Sequence, residues 1–490
     1  LSLAQDAHKG RFVAICDIEG AYLHAKTDDF VVMVFEDYMV DYLIQACPQY
    51  ESFVHVARSG KKILYVRLKR ALYGCIKSAL LWWNTLAETL FKEGFELNPY
   101  DSCVANKTLP DGSQITICWY VDDLKISCIR KEEVMKVIQT LETRYGVMKK
   151  SLGNKHSYLG MDVEFCKDGT VKILMQDHLE DAIKAFDEDL GFTPATPASG
   201  SCFQTDPNAK FLPEHKRKIL HSIVQKLLYV AKRARPDILP TIGFLTKRVS
   251  KATLQDWGKL RRCLSFIQDT LSDPLILSID DLTIVKNWVD AAFGVHDDLK
   301  SHTGFTITMG KGALYASSKT QTLNTISSTE AELVGASSCM PQIMWTVNFL
   351  KAQGIDVKKN YLYQDNQSAM RMERNGRQSA RPRSRHIDIR FFFIKDRIAR
   401  GDINLLYCPT ERMVGDYFSK PLQGPLFRYF RNIVMGYAPT PEIPDPTLDT
   451  PAPEERVVEM TGADRIAGQT TQSTRVATYA EIVKRTIADK

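Results

Sequence analysis

The chain has 490 residues, of which 44% are apolar and 25% charged, with a net charge of +6. That length is more than one hydrophobic core serves and implies about two to four domains, and the composition is globular rather than fibrous. No stretch approaches the roughly 18–20 uncharged apolar residues of a membrane-spanning helix, and the polar start at Leu1–Arg11 is not a signal peptide.

The chain begins without Met, and an apolar strand starts almost at once at Phe12, so it reads as a piece of something longer. Arg11–Ala25 is a strand running into a turn, with Asp17 at its end. Leu68–Phe91 has helical spacing, Leu72, Leu80, Trp83, Leu86 and Leu90 falling near one face. Gln114–Cys128 is a β pattern interrupted by Asp122 and Asp123, and Glu132–Tyr145 is helical. Gly191–Pro213, with its prolines and glycines, is a linker. A Lys- and Arg-rich helical segment runs from Glu214 to about Thr270. Strands follow at Ile284–Val289, Thr303–Met309 and Leu314–Ser318, then a helix over Ser328–Gly354. Six prolines between Pro439 and Pro453 predict a disordered tail, with one short amphipathic helix at Tyr479–Ala488.

The eleven cysteines are scattered, none in CxxC or zinc-knuckle spacing, so no structural zinc is expected and a reducing compartment suits them. Charge is uneven. Arg371–Arg400 holds nine Arg and one Lys against three carboxylates, a local sum of +7, which leaves the rest at −1. Such a block is either a solvated face or a phosphate-binding surface, and the preference for Arg favours phosphate.

Two sets of acidic residues carry chemistry. Ordinary β residues flank Asp122 and Asp123, as in a hairpin with acids at its tip, and Asp17 closes another apolar strand. If those strands are neighbours, three carboxylates converge, an arrangement that repels itself unless cations bind. Further on, Asp290 ends a strand and Glu332 begins a helix. Asp365 closes a strand and Asp416 opens a helix. Singly these are plainer: Glu332 stands at capping-box spacing from Thr329, and Asp365 and Asp416 could be N-caps. In order, Asp, Glu, Asp and Asp over strand, helix, strand and helix resemble the layout of RNase H-like nucleases, which implies two-metal phosphodiester hydrolysis.

Tyr120-Val-Asp-Asp123 and Asp17-Ile-Glu-Gly-Ala-Tyr22 resemble reverse transcriptase palm motifs, and Leu68-Lys-Arg-Ala-Leu-Tyr-Gly74 resembles the copia-type branch of LTR retrotransposons. Ser328-Thr-Glu-Ala-Glu332, Asp365-Asn-Gln-Ser-Ala369, Arg383-Ser-Arg-His-Ile-Asp388 and Phe418-Ser-Lys-Pro-Leu422 resemble the RNase H of the same elements. The resemblance covers roughly residues 11–436, departing at Cys75-Ile-Lys-Ser-Ala-Leu80. It implies an α+β multidomain chain. A palm (1–165, fingers missing) leads to a helical thumb and connection (166–283), an RNase H-like α/β domain (284–436) and a disordered tail (437–490).

The resemblance further implies RNA-directed DNA synthesis with Asp17, Asp122 and Asp123 as metal ligands. Tyr22 would select dNTP over rNTP, with Gly74 and Tyr120 also at the substrate. RNA–DNA hybrid cleavage would use Asp290, Glu332, Asp365 and Asp416 on metal, with His386 a proton shuttle or phosphate contact and Arg383 and Arg385 on the hybrid. Mg²⁺, two per site, is the expected cofactor, with Mn²⁺ an alternative. Expected partners are RNA template, DNA primer, dNTPs and other parts of the polyprotein (integrase, protease, capsid), with no membrane. The expected location is a cytoplasmic virus-like particle, with nuclear entry open. The alternative is a truncated relic, impaired by the missing fingers, that binds nucleic acid or keeps only the nuclease.

Overall fold

The computed structural model describes residues 1–27, 29–375 and 388–445, and for 388–392 the backbone alone. Leu1–Ile443 form one unit, and a second runs from Pro444 to Lys490. The expected sites at Arg383, Arg385 and His386, the tail beyond Asp445 and its helix lie outside the described residues.

The first sheet has six antiparallel strands in the order Glu96–Asn98, Asp101–Thr108, Gln114–Tyr120, Asp123–Cys128, Phe12–Asp17, Lys149–Leu152. Alternation along Phe12–Asp17 buries Ala14 and Cys16 on one face, against Trp82, Leu86, Val134 and Ile138 of the helices Ser78–Lys92 and Lys131–Tyr145. Val13 and Ile15 point the other way, into a second core with Ala4 and Ala7. The strand that ends on Asp17 is therefore clamped on both sides.

Leu68–Lys77 is not helical, contrary to its apolar spacing. Gly74 adopts φ +93°, and the Ser78 hydroxyl donates to the Leu72 carbonyl at 2.7 Å, so the chain loops before the helix starts at Ser78. Between the first strand and this loop lies a small sheet, in the order Val32–Glu36, Lys62–Arg67, His55–Val56, with the helix Tyr38–Ala46. Its weak, short strands gave no clear sequence pattern.

Lys155–Tyr158, Met161–Phe165, Val171–Leu174 and Leu275–Leu277 make a four-stranded sheet, so the boundary expected at 165/166 falls inside it. The single helical segment expected after Glu214 is three helices, Glu214–Ala231, Leu239–Thr246 and Leu254–Asp269. Pro236 interrupts the first break, and a Thr253–Asp256 capping box starts the last helix. Arg235, 1% exposed, grips Asp237 through two bonds of 2.8 and 2.9 Å, and Arg431 donates to the same carboxylate at 3.0 Å. These charges are internal and satisfy one another within the fold.

A five-stranded sheet runs Tyr315–Thr320, His302–Thr308, Ile284–Ala292, Lys359–Gln364, Asn404–Tyr407, the last two strands parallel to the central one. Ala291 and Thr303 face Gly335 of the long helix Ser328–Ala352, and their neighbours Asp290 and Gly304 face the turn Gly415–Ser419. The second core continues without a break from the helical segment into this sheet. Packing persists through Ala438 and Ile443, past the boundary expected at 436. All eleven cysteines are free, and no helix of the described residues is long and apolar enough to cross a membrane.

Candidate active sites

Asp17 and Asp123 stand directly opposite each other in the antiparallel register, so their side chains share one face. Tyr120 pairs with Asp123 across a two-residue turn of Val121 and Asp122. Val121 takes φ +59°, a costly conformation for a β-branched residue. Two bonds hold it: the Trp82 indole donates to the Val121 carbonyl at 2.6 Å, and the Ile18 N–H to the Asp122 carbonyl at 3.1 Å. Burial, then Asp122 and Asp17, push the Asp123 carboxyl above its usual range, the mark of crowded like charges.

The Tyr22 ring lies 4.4 Å from that of Tyr73, whose hydroxyl is raised by burial and by Asp122. Gly74 lines a cleft of about 370 Å³ with Thr27, Arg70 and Lys77. Sequence reasoning missed Lys125. It is fully buried in the hairpin strand and ion-paired to Asp6, which also accepts from Ser127 at 2.7 Å. A lone Lys in an apolar strand was the available signal. The pair braces the acidic hairpin from behind.

Asp290, Glu332 and Asp365 offer oxygens that all lie within 4.8 Å of one another, the one such group among the described residues. The palm carboxylates are less tightly gathered. Asp290 sits inside its strand, which runs on to Ala292, rather than at its end. The capping reading of Glu332 fails. Ser327 caps the helix, accepting from Glu330 N–H, and Glu330 reaches back to Ile326 N–H at 2.9 Å, which leaves Glu332 out of the cap. Likewise Asn366, not Asp365, accepts from the Ala369 N–H, while Asp365 takes the Thr410 hydroxyl at 3.0 Å.

Glu332 is 5% exposed, and its Oε2 is buried without a hydrogen-bond partner. Its carboxyl is raised well above the usual range by burial, then by Asp290 and Asp365. Asp365 is raised by burial, then by Asp290. An orphaned oxygen inside an all-carboxylate cluster fits a hard divalent cation such as Mg²⁺.

Asp416 lies beside this cluster, on Asp290, its carboxyl raised to about 8 by burial and by Asp290. The Lys420 ammonium stands 2.7 Å from Asp416 and 3.3 Å from Asp290, and the Ser419 hydroxyl donates to Asp290. Ser419 and Lys420 lie in the Phe418–Leu422 motif, whose resemblance alone implies no role for either. Within the basic block, Arg374 bonds the Leu405 carbonyl, and Arg397 and Arg400 pair with Asp402 and Asp396, so these three guanidiniums have internal partners.

Residues 1–199 match a model of the reverse transcriptase (RNA-dependent DNA polymerase) family. They are a reverse transcriptase domain. The chain is 26% identical over 425 residues to the Retrovirus-related Pol polyprotein from transposon TNT 1-94 of Nicotiana tabacum, covering 85% of this chain and 30% of that one. It is 23% identical over 449 residues to the Transposon Ty1-GR2 Gag-Pol polyprotein of Saccharomyces cerevisiae, covering 88% and 24%. The resemblance to copia-type retrotransposon polyproteins holds, and the chain spans less than a third of the length of these relatives. Among solved structures, an apo telomerase from Candida tropicalis truncated from its C-terminal domain overlaps 34% of this chain and 37% of that one. The identity is 14% and the TM-score 0.21, too slight to argue from. The reverse transcriptase domain thus contains Asp17, Asp122 and Asp123, while the Asp290 cluster lies outside the matched residues.

Proposed function

We propose that this chain copies RNA into DNA at Asp17, Asp122 and Asp123, and hydrolyses the RNA of the resulting hybrid in an RNase H-like domain at Asp290, Glu332, Asp365 and Asp416. The family match supports the first activity. The observation that carries the second is the buried Asp290–Glu332–Asp365 cluster with its unpartnered Glu332 oxygen.

Divalent cations, Mg²⁺ or Mn²⁺, would supply charge stabilisation and activation of the attacking oxygen at both sites. In the polymerase, Asp17 and Asp123 would hold a cation from opposing strands, Asp122 would complete the set, and Tyr22 would bear on the sugar of an incoming dNTP. In the nuclease, Asp290 lies in one strand, Asp365 directly follows the adjacent parallel strand, and Glu332 comes from the first turns of the long helix, so regular elements preorganise the cluster. The Thr410 hydroxyl orients Asp365, and the Ser419 hydroxyl orients Asp290.

A labelled primer on an RNA template, with Mg²⁺ and dNTPs, reports extension and RNA cleavage together. Asp122→Asn should abolish extension alone, and Asp365→Asn cleavage alone. Loss of both activities in either variant would contradict two independent sites. Cleavage without extension in the unaltered chain would leave only the nuclease part of the proposal.

A further inference from the structure

Four carboxylates and one ammonium meet at the nuclease cluster. Lys420 is held there by the backbone: its N–H bonds the Asp416 carbonyl at 3.1 Å, which fixes the two side chains one helical turn apart. Its Nζ then bridges Asp416 Oδ1 at 2.7 Å and Asp290 Oδ2 at 3.3 Å. The Asp290–Glu332–Asp365 oxygens form a separate pocket that includes no atom of Asp416. Asp290 is thus shared between a three-carboxylate pocket and an ammonium-bridged pair.

We infer that Lys420 is a built-in counter-ion that occupies the place of a second divalent cation between Asp290 and Asp416. This rests on the nuclease reading above. The first cation enters the three-carboxylate pocket unopposed, and the second must displace an ammonium. Formal charge supports the asymmetry. The four ionised acids and Lys420 sum to −3 and one divalent cation brings this to −1; a second would leave +1 with the ammonium in place, so the ammonium must leave or an anionic phosphate must arrive with it. Displacement is sterically open, because the Lys420 side chain is 38% exposed. Its long stem allows the head to swing toward solvent or a phosphate while the backbone stays fixed. The centre would therefore fill its second position chiefly when substrate is bound, which guards against futile metal loading.

The test is Mn²⁺ binding to the full chain without nucleic acid, read by the electron spin resonance signal of free Mn²⁺. The background carries Asp17→Asn, Asp122→Asn and Asp123→Asn to silence the palm. The parent should bind one Mn²⁺ tightly and a second weakly. Lys420→Met should tighten the second by about fivefold, the worth of a partly exposed ion pair, and Lys420→Arg should behave as the parent. Identical second-site affinity in Lys420→Met and parent overturns the inference. Acylation of the Lys420 amine, read by mass spectrometry, tests it on the unsubstituted side chain. Reactivity should rise as the second Mn²⁺ binds, and constant reactivity counts against displacement. If Asp365→Asn leaves tight Mn²⁺ binding intact, or no tight binding exists, the nuclease reading itself fails instead.

Discussion

The indole of Trp82, buried beneath the palm hairpin, donates to the carbonyl of Val121, the residue whose left-handed backbone aims Asp122. A β-branched residue at φ +59° persists only where its surroundings over-determine it. Trp82 also packs edge-on against Tyr145, 5.2 Å between ring centroids, so the donor itself cannot drift.

Trp82→Phe keeps most of that packing and leaves the Val121 carbonyl without its donor. The expected cost is about 1–3 kcal/mol of stability in urea unfolding. Primer extension should fall well beyond what that cost explains, with hybrid cleavage unchanged. Equal losses in both activities would show that Trp82 acts through general stability.

The Tyr22 ring rests against Tyr73 at 4.4 Å, which fixes the aromatic wall expected to meet the sugar of the incoming nucleotide. Tyr22→Ala should improve rNTP use relative to dNTP by roughly tenfold or more, measured as the ratio of kcat/KM values. Tyr73→Ala removes the support but leaves the wall, so its effect should be smaller and in the same direction. A ratio unmoved by Tyr22→Ala would assign the ring to packing alone.

In the sheet that carries Asp290, a Cβ on Gly304 would stand 2.3 Å from the Gly415 carbonyl and 2.4 Å from the Ser419 nitrogen. Both are backbone atoms of the turn that carries Asp416, and neither can yield. Gly304→Ala should therefore cost about 2–4 kcal/mol and eliminate RNA cleavage while extension survives. Gly335→Ala is the matched control. Its Cβ meets only side-chain atoms, Thr303 at 3.4 Å and the Ala291 Cβ at 3.6 Å, and alanine suits a helix interior.

The acids at both sites were legible in the sequence because each stands at the end of, or within, a strongly apolar strand or at a helix start, where a carboxylate breaks the pattern. Asp365 and Asp123 are such cases. Partnerships were not legible. That Glu330 rather than Glu332 serves the cap depends on the helix starting at Ser328 behind Ser327, two residues before the alternative cap at Thr329. The loop Leu68–Lys77 read as helix because periodicity cannot register the positive φ of Gly74. The pairs Lys125–Asp6 and Arg431–Asp237 join residues far apart in sequence, and only tertiary packing brings them together. The domain boundary at 165/166 failed for the same reason, since Leu275–Leu277 returns to pair with Val171–Leu174.

Glu373 gives the last prediction. It is fully buried on the helix Gln367–Asn375 with neither carboxylate oxygen hydrogen-bonded, and burial raises its carboxyl to about 8, opposed only weakly by Arg374. Unfolded, the same group titrates near 4.3. The fold therefore holds a proton that the unfolded chain has released, and stability falls as pH rises from about 4.3 to about 8. Each pH unit inside that window is worth at most about 1.4 kcal/mol, so the loss between pH 6 and pH 8 is roughly 2 kcal/mol. Glu332 and Asp416 are raised by burial as well and add slope of the same sign in metal-free protein. A difference against Glu373→Gln isolates this one residue, because the amide cannot ionise and fills the same space. Urea unfolding in EDTA at pH 5, 6, 7 and 8 should show the two proteins closest at pH 5. The variant should be the more stable by a margin that widens to pH 8. Parallel curves would mean that Glu373 is charged in the fold across the whole range and is paired there.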